Sequence, residues 1–211
     1  MKKDINETTE SHILNVAHEV FLKKGLDGTR MQEIADEAGI NKSLLHYYYR
    51  TKQKLFEKVF KAAFKHFFPI VQANIIADIP LFEKIKIFVE TYYNILQKNP
   101  YIPAFVIHEL NRNSANVTEV FKSIFQENNL EVDLMFDELN RQIQVEVEKG
   151  KIISIEARQL IVNILSLCIF PFVAKPIIKG ILLDNNEIKY KAFIEERKSA
   201  VSQFIINAIS V

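Results

Sequence analysis

The sequence predicts an all-α chain, and three observations carry that prediction. Apolar residues recur at three- and four-residue spacing from one end of the chain to the other. Only 5 glycines and 6 prolines punctuate 211 residues, too few for a many-turned β fold. No credible strand run stands out along the chain. With 48% hydrophobic and 25% charged residues, the chain has material for a sizeable core and lies outside the disordered class.

A first helix is predicted over residues 9–24, with Ile13, Leu14, Ala17, Val20, Phe21 and Leu22 at helical spacing. Gly25 follows two lysines and stops it. A short second helix over residues 30–38 turns Met31, Ile34, Ala35 and Ala38 inward, and Thr29 with Gln32 three residues later reads as a capping box. Gly39 ends that helix and Asn41 caps a third, whose Leu45 and Tyr49 face the core. Two short helices joined by Gly39-Ile40-Asn41 form a helix-turn-helix, with Ala35 small enough for a close crossing. Thr51 caps a fourth helix over residues 52–71. Further helices are expected near residues 81–98, 103–113, 117–128, 130–149, 155–179 and 187–209. The chain divides, on this reading, into a head of residues 1–51 and a helical body of residues 52–211.

Charge separates the two parts. Between Ile40 and His66 seven cations, Lys42, Arg50, Lys52, Lys54, Lys58, Lys61 and Lys65, stand against one acid, Glu57. The segment's net charge of +6 in a chain of net +1 points to a polyanionic partner for that part alone. The lone Cys168 rules out an intrachain disulfide and suits a reducing compartment. The polar first ten residues lack the apolar core of a signal peptide, so a cytoplasmic location is expected. The clean apolar stretch of residues 160–174 is shorter than the roughly 20 residues that span a bilayer, so no membrane partner is expected.

No glycine-rich phosphate loop, metal-ligand motif or nucleophile elbow is present, which speaks against an enzyme and against a cofactor. His108 and Glu109 are adjacent and point to different faces of a helix, unlike the zinc-binding arrangement of two histidines four apart. Two alternatives stay open beside DNA binding: an enzyme on a helical bundle, and a protein-interaction module whose head meets an acidic patch.

The residues Gly28-Thr29-Arg30-Met31-Gln32-Glu33-Ile34-Ala35, then Ala38 through Lys52, then Leu55-Phe56, resemble the head of the TetR family of transcriptional regulators. The resemblance covers roughly the first 65 residues; the rest is similar in length and helical pattern. It implies about nine helices, a homodimer on a partly palindromic operator, usually repression, and release by a small-molecule effector bound in the body. It also implies that the last two helices build a four-helix dimer bundle. The chain departs from the family at Thr29-Arg30, where two hydroxyl residues are frequent, and at His46, where tyrosine is frequent.

In a helix-turn-helix the start of the second helix enters the major groove, which here offers Lys42, Ser43, Leu44 and His46 to base edges. Gln32 is expected at a base through its place in the family pattern, and Asn41 belongs to the same set. Thr29, Tyr47, Tyr48 and Lys52 are expected at phosphates. Arg50, Lys54 and Lys58 read as solvated. In the body, a pocket between helices takes apolar walls and few polar groups, and Tyr92, Phe105, His108, Glu109, Phe125 and Asn163 are candidates to line it. The homodimer is expected through the last two helices, whose apolar residues, among them Leu160, Ile164, Phe172, Val201 and Phe204, exceed what one chain hides.

Overall fold

The computed structural model describes the backbone of residues 2–65 and 67–211, and their side chains apart from those of residues 2–8, 105, 108, 109, 112–114 and 116. Among the described residues it holds eleven α-helices and no strand, so the all-α expectation is met. An isolated antiparallel bridge joins Ile152 to Ser210.

The helices are α1 (Lys2–Gly28), α2 (Met31–Glu37), α3 (Lys42–Tyr48), α4 (Lys52–Phe64), α5 (Phe67–Ile76), α6 (Leu81–Lys98), α7 (Ile102–Glu127), α8 (Val132–Glu148), α9 (Ala157–Val173), α10 (Lys175–Ile177) and α11 (Glu187–Ile209), with a π-helical turn at Ile178–Leu182. Four boundaries differ from the sequence reading. α1 starts earlier and continues one turn past Gly25, whose φ of 68° and ψ of −178° break the helix where the sequence placed its end. The helix expected over residues 52–71 is two helices, because Pro69 has no N–H to donate and its ring would clash with the Lys65 carbonyl; it is tolerated in the first turn of α5. The two helices expected over residues 103–128 are one, since the Asn and Ser residues between them cost only tenths of a kcal/mol each and nothing there stops a helix. The long helix expected to residue 179 bends by 60° between α9 and the segment 175–182. Pro176 in the first turn of α10 marks the restart. No single helix among the described residues is long and apolar enough to cross a membrane.

Two compact units form. The first comprises residues 1–65 and 99–124, and the second residues 66–98 and 125–211. In the first, Ile13, Ala17, Val20 and Phe21 of α1 pack with Ile34 and Ala35 of α2, Leu45 of α3 and Leu55 and Phe56 of α4, all fully buried. Phe21, Phe56 and Tyr101 form an aromatic cluster, with ring centroids 4.8 Å apart for Phe21–Phe56 and 5.5 Å for Phe56–Tyr101. His18 stacks edge-on against Tyr101, and its Nε2 lies 3.0 Å from Asn99 Oδ1, an acceptor, so the ring donates.

In the second unit, α6 buries Leu81, Ile85, Phe88, Val89, Tyr92, Tyr93, Ile95 and Leu96. Lys84 is also buried there, only 4% exposed. Its ammonium closes the end of α5, donating to the carbonyls of Asn74 (3.0 Å), Ile75 (2.6 Å) and Ala77 (2.5 Å). A cation at a helix C-terminus satisfies carbonyls that the helix leaves without partners. Burial lowers the Lys84 pKa, against the nearby acids Glu138 and Asp78.

Candidate nucleic-acid interface

The helix-turn-helix is built from local chemistry. Ala38 ends α2, and Gly39 follows at φ 65°, where a side chain would be strained. The N–H of Ile40 donates to the Ala35 carbonyl (3.0 Å) and that of Gly39 to the Asp36 carbonyl (3.1 Å), the crossed pair of a Schellman turn. From α1, the His12 ring donates through Nε2 to the Ala38 carbonyl at 3.1 Å, adding a partner for the end of α2. Asn41 then caps α3, as the sequence indicates: its Oδ1 accepts from the Leu44 N–H at 2.7 Å. Thr51 caps α4 in the same way, accepting from the Lys54 N–H at 3.2 Å.

The expected cap of α2 is corrected. Arg30, extended at φ −115° and ψ 141°, is the N-cap, and no side chain caps the helix. Thr29 is 2% exposed, and its hydroxyl donates back to the Gly25 carbonyl at 2.6 Å, stitching the interruption in α1. The other half of the expected capping box, Gln32, donates forward to Asp36 Oδ1 at 2.7 Å. Thr29 is therefore placed in the interior of the connection and Gln32 on the surface.

α3 presents one face outward. Lys42, Ser43, His46 and Tyr47 are exposed, Leu44 and Tyr48 are partly so, and Leu45 and Tyr49 are buried. Tyr47 stands 78% exposed and edge-on to Tyr48, with centroids 5.6 Å apart. Tyr49 anchors the opposite face: its hydroxyl donates to Glu10 Oε1 at 3.1 Å, and burial, with that carboxylate, pushes its pKa up. His46 Nδ1 lies 3.3 Å from the Arg50 carbonyl, which can only accept, so the neutral ring carries its proton there and keeps Nε2 as an acceptor.

Lys52 sits differently from a surface phosphate contact. Its ammonium donates to the carbonyls of Leu26 (2.6 Å) and Thr29 (2.9 Å), with Asp27 at 3.4 Å, and so clamps the α1–α2 connection to the start of α4. Lys54, Lys58 and Arg50 are exposed. Arg30 is exposed at the start of α2.

The candidate effector residues do not form one cluster. Tyr92 is 7% exposed, its ring 5.6 Å from Phe67 and 6.4 Å from Phe88, and burial raises its pKa. Phe125 is half-buried and edge-on to Phe68 at 5.0 Å. The Phe67–Phe68 pair, 5.1 Å apart, thus links Tyr92 to Phe125. Asn163 lies elsewhere, exposed on a groove between α9 and α11. The side chains of Phe105, His108 and Glu109 lie outside the described residues. A separate open groove of about 550 Å³ runs between residues 76–81 and α8, edged by Glu138, Arg141, Glu146 and Lys149.

Residues 13–59 match the family of bacterial regulatory proteins named for TetR. The negative transcriptional regulator of the biofilm operon icaADBC, IcaR of Staphylococcus aureus, is 32% identical over 62 residues, covering 29% of this chain and 33% of that protein. The transcriptional repressor NicS of Pseudomonas putida is 34% identical over 61 residues, 29% of each chain. The chain thus spans about a third of the length of the curated relatives it matches. Among solved structures, the hemolysin II transcriptional regulator HlyIIR superposes with a TM-score of 0.60 at 24% identity, covering 97% of this chain and 98% of that one. A TetR/AcrR-family regulator from Thermobifida fusca gives a TM-score of 0.62 at 16% identity, covering 94% and 96%. At such identities the structures speak for the fold, and the sequence match speaks for the head. Together they show a TetR-type head over residues 13–59 and, over nearly the whole chain, the fold that those solved structures share.

Proposed function

We propose that this chain is a sequence-specific DNA-binding transcriptional regulator. It works as a homodimer on a partly palindromic operator, as a repressor that a small-molecule effector releases. The observation that carries the reading is the outward face of α3. Lys42, Ser43, His46 and Tyr47 are exposed on a helix fixed by the Asn41 cap before it and by buried Leu45 and Tyr49 behind it. A short, rigidly seated helix with polar and cationic side chains outward is what the major groove accepts.

In this proposal Lys42, Ser43, Leu44 and His46 meet base edges, with Gln32 reaching from α2. Asn41 acts through the cap it makes. Tyr47 and Tyr48 hold phosphates, and the exposed cations around them draw the polyanion in. Thr29 and Lys52 act on the protein side, holding the connection that sets the angle of α2. Repression is supported by the names of the matched relatives, a negative regulator and a repressor. The effector reading rests on Tyr92 and Phe125 at the ends of the Phe67–Phe68 pair, an aromatic wall suited to an apolar molecule with few polar groups. Pairing through α9 and α11 rests on their exposed apolar residues, Val162, Phe170 and Phe204 among them.

Selection from random duplexes by gel shift tests the reading. The expected result is an enriched, two-fold symmetric site whose binding weakens steeply with salt. Recovery of unenriched duplexes at low salt would overturn it.

A further inference from the structure

Lys84 and Gln142 converge on the end of α5. The Lys84 ammonium spends its three protons on the carbonyls of Asn74, Ile75 and Ala77. Gln142, from α8, donates through Nε2 to the same Ile75 carbonyl at 2.9 Å and to Glu138 Oε1 at 2.6 Å. Both of those partners only accept, so the amide cannot turn around without losing both bonds. Its Oε1 is thereby fixed in place, and that atom is buried with no donor. A buried acceptor left unmet costs free energy, and native structures hold few of them.

Gln142 belongs to the wall of the open groove of about 550 Å³ between residues 76–81 and α8. The side chain as a whole is partly exposed, so the unmet acceptor lies just under the groove surface. The cations along the groove already hold carboxylates: Arg141 pairs with Glu138 at 2.7 Å, and Lys149 and Lys151 share Glu146 at 2.6 and 3.1 Å. Asp78 is the exception among the acids. It is exposed on the groove and makes no ion pair or hydrogen bond among the described residues. Its field reaches Lys84, as that of Glu138 does, so it stands at the end of the groove where Glu138 and Gln142 meet. From there the groove follows α8 to Lys149, about 16 Å of helix. Ile76, Ile79, Leu81 and Val145 give it an apolar lining, with Ile76 65% exposed.

We propose that this groove binds a small organic cation, an ammonium carried on an apolar chain. The ammonium sits at the Asp78 end, donating to that carboxylate and to Gln142 Oε1, and the chain lies along Ile76, Ile79 and Val145. The volume falls within the range of small-molecule sites, and an apolar wall with a few convergent polar groups is their usual make-up. An anion would have to displace Glu138 from Arg141 or Glu146 from the two lysines. An uncharged apolar molecule would leave Asp78 and Gln142 Oε1 unmet. Nucleic acid finds no net attraction, because Asp78, Glu138 and Glu146 balance Arg141, Lys149 and Lys151. Neither Tyr92 nor Phe125 lines the groove, so the site is separate from the aromatic wall assigned to the effector, and the inference stands or falls independently of that reading.

Titration of the full chain with octylammonium, octanol and octanoate, followed by saturation-transfer NMR, tests this. Octylammonium should bind more tightly than either control, and its affinity should fall as salt is added. Asp78→Asn, a change at an exposed residue that leaves the fold intact, should weaken octylammonium by about fivefold, the upper end for an exposed ion pair, and leave octanol unchanged. Val145→Trp fills the groove and should abolish octylammonium binding. Phe125→Ala, at the aromatic wall, should leave it within twofold of the wild type. Absence of octylammonium binding, or equal binding of octanoate, would overturn the proposal. So would binding that Phe125→Ala removes while Asp78→Asn and Val145→Trp leave it intact, a result that would move the ammonium to the aromatic wall and spare the effector reading.

Discussion

Arg197 donates through Nη2 to the Leu167 carbonyl at 3.1 Å, and Leu167 stands four residues before Pro171. The two facts belong together. A proline inside a helix has no N–H for the carbonyl four residues earlier, so Pro171 leaves Leu167 O without its usual helical donor. Arg197, reaching over from α11, supplies one. The same side chain lies 3.4 Å from the Tyr93 hydroxyl and 5.9 Å from the Phe193 ring centroid. Tyr190 makes the companion bond, donating to the Pro171 carbonyl at 3.0 Å. α11 is thereby tied to the irregular part of α9 by partners that a regular helix would not have offered.

A double-mutant cycle reads this directly. Arg197→Met keeps the aliphatic stem and removes the donor, and should cost about 2 kcal/mol of unfolding free energy, the usual scale for a hydrogen bond to a charged group. In a Pro171→Ala background the regular helical bond can re-form, and the cost of Arg197→Met should fall below about 1 kcal/mol. Equal costs in both backgrounds, measured by urea unfolding, would show that the arginine acts on something other than the freed carbonyl.

Lys52 offers a second distinction, between a residue that touches DNA and one that shapes the reader. Its three carbonyl partners occupy the ammonium's three protons. Lys52→Met should lower head stability by about 1.5–3 kcal/mol and weaken DNA binding. The slope of log affinity against log salt should stay as in the wild type. A phosphate contact would instead reduce that slope by about 0.9. Fluorescence anisotropy over a salt series distinguishes the two.

On the DNA-facing surface the expected signatures differ by residue. Gln32 is exposed and already engaged with Asp36, an arrangement that leaves its Oε1 free to turn toward a base while Nε2 exchanges partners. Gln32→Ala should shift preference at one operator position by about 1–3 kcal/mol. Tyr47→Phe removes one exposed hydroxyl, and should weaken binding to every sequence by a similar factor. Competition binding against a panel of single-base operator variants measures both. A base-specific effect from Tyr47→Phe would move that residue from the phosphates to the base edges.

Which parts of this could be read from the chain alone follows from the range of each interaction. The Asn41 and Thr51 caps and the Gly39 turn were legible because donor and acceptor lie within a few residues, so the residue type and its spacing carry the information. The outward residues of α3 were legible for the same reason: Leu45 and Tyr49, four apart, fix one face and leave the other. Lys52 was not, because its partners lie 23 to 26 residues away and a lysine before a helix looks the same whether it faces solvent or carbonyls. Thr29 was misread because a threonine three residues before a glutamine has the spacing of a capping box, and only the extended backbone of Arg30 shows that the cap lies one residue later. The break at Pro69 was visible in the sequence, but the apolar run on both sides of it masked the missing N–H.

Glu138 gives the body a pH signature with a definite sign. Arg141 holds both carboxylate oxygens, Nε to Oε2 at 2.8 Å and Nη2 to Oε1 at 2.7 Å, and Gln142 adds a bond at 2.6 Å. These donors stabilise the ionised form and hold its pKa at about 2, below the ordinary 4.5. Between those values the unfolded chain binds a proton that the folded chain does not, so folding is favoured as pH rises through the window. The contribution is full above the ordinary carboxylate range and is lost as pH falls toward 2. Glu138→Gln cannot ionise, so its thermal midpoint should fall less steeply than the wild type's between pH 4.5 and pH 2, and the two curves should lie furthest apart near neutrality. Parallel acid limbs in the two proteins would mean that the Arg141 pairing is too solvent-screened to be felt in the folding equilibrium.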